Sequence, residues 1–279
     1  MILDSHHHLW QYSPREYGWI GKGMESIARD FALSDLEAAA AAAGVEASVA
    51  VQARQTVEET DWLISLAEQP GMIRGVVGWA PLADPSLARR LERWADHAVL
   101  KGLRHVVQDE PDDGFLDRED FNRGVRQALA AGYSYDILIF ARHLPAAIRL
   151  VDRHPEGRFV LDHLGKPAIA EGEIEVWRTG LNHLAERPNV CCKVSGMVTE
   201  ADWEQWSPEQ LRPYLDAALE AFGPGRLMFG SDWPVSLLAS PYHRWVEVVS
   251  EWAAALSQPE RDGLFYRNAA DFYRIDCGA

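Results

Sequence analysis

Eight short apolar stretches alternate with helical stretches along the chain, roughly once every 32 residues. The first predicted strand begins at residue 1. The other seven span 45–52, 72–79, 100–107, 133–140, 159–163, 189–195 and 226–232. The predicted helices span 35–43, 57–69, 85–97, 118–131, 144–153, 173–186, 208–222 and 241–256, with a further helical segment over 259–274. Strands that alternate with helices form a parallel sheet, and strands that are apolar on both faces are covered on both faces.

The number and length of these units favour a closed barrel. Eight strand–helix units in about 250 residues is the usual size of a (β/α)8 barrel. An open doubly wound sheet would usually carry a glycine-rich phosphate loop after the first strand, where this chain has His6-His7-His8. A solenoid is a further fold that a repeat of this kind could form. Because no linker or charge block marks a boundary, we predict one (β/α)8 TIM-barrel domain over residues 1–279.

Net charge and cysteine content limit the binding partners and the compartment that we expect for this chain. The net charge is −15, from 27 Lys and Arg against 42 Asp and Glu, which argues against nucleic acid and anionic membranes as partners. No stretch has the apolar length of a transmembrane helix, and no signal peptide is expected. The cysteines Cys191, Cys192 and Cys277 form a sparse, odd set that fits a reducing cytoplasm. We therefore expect a cytoplasmic protein that acts on a small molecule, with a homodimer left open.

The first strand runs into three consecutive histidines. Successive side chains of a strand point to opposite faces, so His6 and His8 share a face and His7 points away. Two imidazoles about 6–7 Å apart on one face can turn toward a common metal ion. A polar strand end, or the remnant of a purification tag, would give the same letters.

Polar residues also follow several other predicted strands. In a barrel of this type the active site is built at the carboxyl ends of the strands. The residues at those ends are Gln52, Arg54, Trp79, Arg104, His105, Asp162, His163, Lys193, Ser195, Asp232 and Trp233. Each has a structural explanation when taken alone, since His163 could be a satisfied core histidine and Asp232 a helix cap. Their concentration at one end of the barrel predicts a functional site.

Four of these residues form a mixed nitrogen and oxygen ligand set. His6, His8, His163 and Asp232 could hold one divalent ion such as zinc with an open position. Such an ion lowers the pKa of a bound water and polarises a carbonyl. Asp232 could accept the proton of the water, while Arg104 and Lys193 supply positive charge for an oxyanion or a hydroxyl.

These residues lie in motifs that resemble a known family. The His-x-His of strand one and the Asp of strand eight resemble the amidohydrolase superfamily. The fuller pattern resembles its sugar-lactonase branch, which includes lactonases of L-fuconolactone, L-rhamnonolactone and 2-pyrone-4,6-dicarboxylate. The motifs that carry the resemblance are D-S-H-H-H-L-W, K-G-L-R-H, L-D-H-L-G-K-P, G-S-D-W-P and N-A-A-D-F-Y. The resemblance implies that Asp232 is the general base and that Arg104 and His105 face the substrate.

One departure from the family bears on the metal. Many amidohydrolases bind two ions through a carboxylated lysine on strand four, where this chain has Arg104-His105. A guanidinium cannot become that bridge, so we expect a single ion. Some members of the branch are understood to work without metal, which leaves the ion dispensable. The histidines would then donate hydrogen bonds to the lactone carbonyl while Asp232 alone activates water.

The expected activity is hydrolysis of a sugar-acid lactone, such as L-fucono- or L-rhamnono-lactone, to the aldonic acid. The predicted substrate contacts are Trp19, Gln52, Arg54, Trp79, Lys193 and Trp233. A dicarboxylate would need several arginines for bidentate binding, so a 2-pyrone-4,6-dicarboxylate-type lactonase is the second choice. A metal-dependent decarboxylase on the same barrel is another alternative. A catalytically inactive barrel that binds a sugar or a protein is the alternative from a different class.

Overall fold

The computed structural model describes residues 1–276, so Cys277 lies outside the described residues. Eight strands form one sheet in sequence order, and each is parallel to the next. They are β1 Leu3–His7, β2 Ala47–Val51, β3 Ile73–Gly78, β4 Leu100–Val106, β5 Ser134–Leu138, β6 Phe159–Leu161, β7 Val190–Val194 and β8 Leu227–Phe229. The predicted single-domain (β/α)8 TIM barrel is confirmed.

Helices follow the strands and cover the outside of the barrel. They are α1 Leu33–Ala42, α2 Val57–Ala67, α3 Leu87–Trp94, α4 Glu119–Ala130, α5 Leu144–Asp152, α6 Glu175–Ala185, α7 Pro208–Phe222, α8 Tyr242–Ala253, α9 Gln258–Asp262 and α10 Asn268–Tyr273. Within residues 1–276, no helix combines the length and apolar character needed to cross a membrane.

Backbone hydrogen bonds join the first strand to the chain that follows the last. The Asp232 N–H donates to the His6 carbonyl at 2.8 Å, and the His8 N–H donates to the Trp233 carbonyl. A parallel bridge between His7 and Trp233 lies between these two bonds. The closure therefore fixes the end of β1 against the segment that carries Asp232.

Strands β2 to β8 each end one to three residues earlier than the sequence predicts, and two of these differences affect the site. The predictions extended strand six to His163 and strand eight to Asp232, whereas β6 ends at Leu161 and β8 at Phe229. His163 and Asp232 have left-handed φ angles of 53° and 57°, which an extended strand cannot contain. Turns after the strands, rather than strand alternation, therefore aim these two side chains.

The amino-terminal end of the barrel is closed by the C-terminal helix. Phe272 and Tyr273 of α10 pack in one buried cluster with Leu3, Val160 and Met228 of the strands. Burial of these apolar surfaces stabilises the closure by about 25 cal/mol per Å² removed from water. The polar strand ends lie at the opposite end, as expected for a barrel of this type.

Candidate active site

A cavity of about 480 Å³ opens at the carboxyl ends of the strands. Six of the predicted site residues line it: His8, Trp19, Arg54, Arg104, His163 and Asp232. His6 lies directly against this group and is fully buried. Predicted site residues from distant segments of the chain therefore meet at one place.

Five buried side chains, His6, His8, Arg104, His163 and Asp232, form what we call the floor of the cavity. The Nε2 atoms of His6 and His8 are 3.2 Å apart. Asp232 Oδ1 lies 3.4 Å from His8 Nε2, 3.8 Å from His6 Nε2 and 3.9 Å from His163 Nε2. Three imidazoles thus converge on one carboxylate oxygen.

The donor atoms of His6, His8 and Asp232 fit a single divalent ion. Ligands about 2.0–2.1 Å from a tetrahedral zinc lie about 3.4 Å from one another, and these three donor atoms lie 3.2 to 3.8 Å apart. His163 Nε2 lies 3.9 Å from Asp232 Oδ1. His8 Nδ1 bonds the Val51 carbonyl at 2.8 Å, and His163 Nδ1 lies 2.9 Å from Ser195 Oγ. Such bonds on the far ring nitrogen orient metal-binding histidines, and here they turn both Nε2 atoms toward Asp232.

Two glycines allow the rings to reach these positions. A Cβ at Gly196, which has a φ of +60°, would lie 2.5 Å from His163 Nδ1. A Cβ at Gly230 would lie 2.9 Å from His6 Cβ. Contacts this short are not tolerated between non-bonded atoms, so glycine at both positions makes room for the floor.

The electrostatics of the floor keep its carboxylate ionised. Burial alone would raise the pKa of Asp232, but His163, His8 and Lys166 around it bring the pKa below its ordinary value. Burial lowers the pKa of His163 to about 4, against the opposing effect of Asp232. At neutral pH the floor therefore holds a carboxylate beside an uncharged His163 imidazole, which suits both metal binding and acceptance of a proton.

Beneath the floor lies a group of buried charges that we call the ion cluster: Asp136, Asp162 and Lys193. Lys193 Nζ lies 2.7 Å from Asp136 Oδ2 and 3.0 Å from Asp162 Oδ1. Lys193 was expected to contact substrate, but it is fully buried, one residue before the end of β7. Its ammonium is committed to the two carboxylates, so a substrate contact is not supported.

Arg104 and His105 are consecutive residues of β4, and their side chains point to opposite faces of the strand. Arg104 points inward, where Nη1 lies 3.0 Å from Asp162 Oδ2 and Nη2 donates to the Gln52 carbonyl. His105 points outward, stacks on Phe115 with ring centroids 4.8 Å apart, and has Nε2 2.6 Å from Glu110 Oε1. Consecutive strand residues point to opposite faces, so of the two residues expected to face the substrate, Arg104 lines the cavity and His105 does not.

Three further expected substrate contacts lie behind the cavity wall. Gln52 is buried and its Nε2 donates to the Arg104 carbonyl at 3.4 Å. Trp79 Nε1 donates to His105 Nδ1 at 3.2 Å, and Trp233 packs edge-on against Phe31. These side chains support residues of the site, and the structure does not bring them to the cavity.

The mouth of the cavity is formed by loop residues that we call the rim: Glu16, Trp19, Arg54, Lys166, Glu200 and Trp203. Arg54 Nη1 lies 2.7 Å from Glu16 Oε1, and Lys166 Nζ lies 3.2 Å from Glu200 Oε1. Together with the Arg104–Asp162 pair, these contacts give every Lys and Arg of the cavity wall a carboxylate partner. The cavity therefore offers ionic and polar groups of both signs without an excess of positive charge.

Sequence reasoning gave no role to Glu16, Glu200 or Trp203, and it placed Lys166 at the end of strand six only as part of the L-D-H-L-G-K-P motif. All four are on loops, where hydrophobic periodicity carries no information. Glu200 and Trp203 come soon after the predicted end of strand seven, which is where site residues of such a barrel are expected. That position does not indicate that their loop folds back over the cavity.

Comparisons with known proteins agree with this geometry. The sequence matches the amidohydrolase family over residues 3–275. It is 45% identical to an L-fucono-1,5-lactonase of Burkholderia multivorans, over 98% of this chain and 96% of the relative. It is 37% identical to an L-fucono-1,5-lactonase of Burkholderia ambifaria, with the same coverage. A crystal structure of an amidohydrolase from Burkholderia multivorans with bound zinc superposes with a TM-score of 0.96 at 45% identity, covering 99% of this chain and 100% of that chain. This chain belongs to the amidohydrolase family.

Proposed function

We propose that this chain hydrolyses a neutral sugar-acid lactone to the aldonic acid, with L-fucono-1,5-lactone as the first candidate. The observation that carries the proposal is the floor, where an ionised Asp232 lies within 4 Å of three imidazoles at one end of the cavity. The two Burkholderia relatives named for this activity support it.

The cavity wall favours a neutral, hydroxylated substrate. Its volume of about 480 Å³ is within the usual range for small-molecule sites. The pairs Arg54–Glu16 and Lys166–Glu200 present both donors and acceptors to sugar hydroxyls. A dicarboxylate would instead require cations that are free for bidentate binding, and those of the cavity wall are already paired.

In the mechanism that we propose, water attacks the ring carbonyl and Asp232 accepts its proton. The Arg104 guanidinium contributes positive potential from the floor of the cavity. The His163 imidazole lies beside the Asp232 carboxylate. These groups stabilise the negative charge that develops on the carbonyl oxygen. As the ring C–O bond breaks, Asp232 returns the proton to the leaving oxygen. The products are one hydroxyl and one carboxylic acid on the same molecule, and the acid releases its proton to water at neutral pH to give the carboxylate.

We further propose that His6, His8, His163 and Asp232 hold one divalent ion, with zinc as the first candidate. When bound, such an ion would polarise the carbonyl and lower the pKa of a nearby water. Elemental analysis of the purified protein tests occupancy, and activity before and after chelation tests whether the ion is required. A cytoplasmic location and a homodimer stay predictions.

The direct test is a substrate panel with purified protein. L-Fucono-, L-galactono- and L-rhamnono-lactones are assayed beside 2-pyrone-4,6-dicarboxylate, with proton release and carbon dioxide release measured in parallel. We expect turnover of at least one aldonolactone without carbon dioxide. Turnover of the pyrone alone would overturn the substrate choice. Carbon dioxide release would indicate a decarboxylase, and no turnover at all would favour a barrel that only binds.

A further inference from the structure

Asp4 is a fully buried carboxylate that the proposed reaction does not use, although it opens the D-S-H-H-H-L-W motif. Its Oδ1 accepts hydrogen bonds from the N–H groups of His6 at 3.0 Å and Ser231 at 2.8 Å. Its Oδ2 accepts from the hydroxyls of Ser231 at 2.5 Å and Tyr242 at 2.8 Å. A buried charge is costly unless it is hydrogen-bonded, and a fully bonded polar network is rigid. Asp4 therefore ties β1 to α8 and to the chain that follows β8.

We propose that Asp4 is a positioning residue, acting through Ser231, that holds the carboxylate of Asp232 where it can accept the proton of water. The residues between 1 and 276 that line the cavity do not include Asp4 or Ser231, so neither is placed to contact the substrate. The inference rests on the proposed function in taking Asp232 as the proton acceptor. Tyr242 of α8 fixes Asp4 in turn.

The first step concerns the backbone of Asp232. Its φ angle of 57° lies in the left-handed region, which L-residues rarely adopt because Cβ crowds a carbonyl oxygen. Such a conformation persists only where the surrounding structure imposes it. Because β8 ends at Phe229, the pairing of β7 with β8 does not reach Asp232. The constraint must therefore come from the contacts of the turn itself.

The second step is that both neighbours of Asp232 are anchored to Asp4. Ser231, which precedes it, is held through its N–H and through its hydroxyl. Trp233, which follows it, donates its N–H to Ser231 Oγ at 3.0 Å. Ser231 Oγ also lies 3.3 Å from the His6 carbonyl, but its single hydrogen is directed to the nearer, charged oxygen of Asp4. One carboxylate therefore constrains the residues on either side of the proposed proton acceptor.

The third step carries this constraint to the reacting group. Asp232 Oδ1 lies between 3.4 and 3.9 Å from the Nε2 atoms of three imidazoles. A displacement of about 1 Å at a reacting group can lower a rate by about 100-fold. Proton acceptance occurs only as the reaction proceeds, whereas other residues of the cavity bind the lactone in the ground state. Loosening the turn should therefore lower kcat and leave KM nearly unchanged.

The test compares two buried serines that both join the first strand to the end of the last. Ser231→Ala removes the hydroxyl that donates to Asp4. Ser5→Ala, the matched control, removes a hydroxyl that donates to the Phe229 carbonyl at 2.6 Å, before the turn that carries Asp232. We expect kcat for the lactone to fall about 30-fold in Ser231→Ala, with KM within about threefold of wild type. Ser5→Ala should keep both constants within about twofold.

Hydrogen exchange in the substrate-free protein, followed by NMR, gives a second readout. The Asp232 N–H keeps its own acceptor, the His6 carbonyl, in both serine variants, so faster exchange there reports loss of the turn rather than loss of that bond. Exchange at Asp232 should rise at least about tenfold in Ser231→Ala and stay within about twofold of wild type in Ser5→Ala. If Ser231→Ala does not fold, Tyr242→Phe replaces it. That variant removes one of the bonds to Asp4 and should raise the same exchange about threefold.

An unchanged exchange rate at Asp232 in Ser231→Ala overturns the proposal, as does an equal rise in Ser5→Ala. A loss confined to KM in Ser231→Ala also overturns it, because that result would place Ser231 in substrate binding. A wild-type protein that hydrolyses no lactone would refute the proposed function. The exchange comparison would still decide whether Asp4 holds the turn, because it needs no substrate.

Discussion

The floor and the rim of the cavity are built in different ways. The floor residues are at most 4% exposed and are held by backbone hydrogen bonds and buried charges. The rim residues are on loops, are partly exposed, and are held by ion pairs such as Arg54–Glu16. Exposed pairs contribute little stability, whereas a buried hydrogen-bonded group is expensive to disturb. We therefore expect the floor to control kcat and the rim to control KM.

Among variants that leave Asp232 unchanged, the largest effect should follow from replacing Arg104 in the floor. Arg104→Lys keeps the charge but cannot bond both Asp162 and the Gln52 carbonyl. We expect kcat for the lactone to fall about 1000-fold, the upper range for loss of a preorganised electrostatic group. The matched variant His105→Phe alters the outward neighbour and should leave kcat within about twofold. Equal losses in the two variants would contradict the division of this pair between two faces.

The second prediction concerns Glu59, which supports the rim residue Arg54, and the pH dependence of the free energy of unfolding. Glu59 of α2 accepts hydrogen bonds from the N–H groups of Ala53 and Arg54, and burial raises its pKa to about 7. The folded state thus keeps a proton that the unfolded state loses near pH 4.5. The free energy of unfolding should fall by about 3 kcal/mol as pH rises from about 4.5 to 7 and then level off.

Urea unfolding at pH 5 and pH 8 measures this change, with Glu59→Gln as the comparison. The amide can still accept both backbone bonds but does not titrate, so the variant should lose less stability than wild type across the interval. Parallel stability curves for the two proteins would mean that Glu59 does not hold this proton.

The smallest effect should come from the rim itself. Glu200→Gln leaves Lys166 without its carboxylate partner, so KM for a neutral lactone should rise about tenfold while kcat changes by less than about threefold. The unpaired ammonium should also strengthen inhibition by the anionic product. Glu204→Gln changes an exposed carboxylate on the same loop and should alter neither constant. A loss confined to kcat in Glu200→Gln would remove the distinction between floor and rim.

The same distinction explains how far the sequence could predict the site. The eight-fold alternation fixed the barrel, and strand alternation placed His6 and His8 on one face with His7 turned away. The same rule places Arg104 and His105 on opposite faces, which the prediction that both face the substrate did not take into account. The burial of Lys193 could not be predicted, because depth within a barrel depends on where each strand begins, which periodicity leaves uncertain by several residues.

Trp19 and Arg54 of the rim were predicted to contact substrate and do line the cavity, but the ion pairs of the rim could not be predicted from local pattern. Glu16 and Arg54 are 38 positions apart, and Lys166 and Glu200 are 34 apart. Their pairing depends on loops that fold back over the barrel end, and loop paths are set by tertiary contacts rather than by composition. His163 and Asp232 were identified by motif, but the left-handed turns that aim them were not.

The most direct test of the account is the kinetics of Asp232→Asn, which keeps the shape of the side chain and removes its basicity. We predict that kcat for the hydrolysed lactone falls by about 1000-fold or more, while calorimetry shows the dissociation constant of the lactone within about threefold of wild type. A variant that retains a tenth of the wild-type kcat would contradict the assignment of Asp232 as the group that accepts the proton of water.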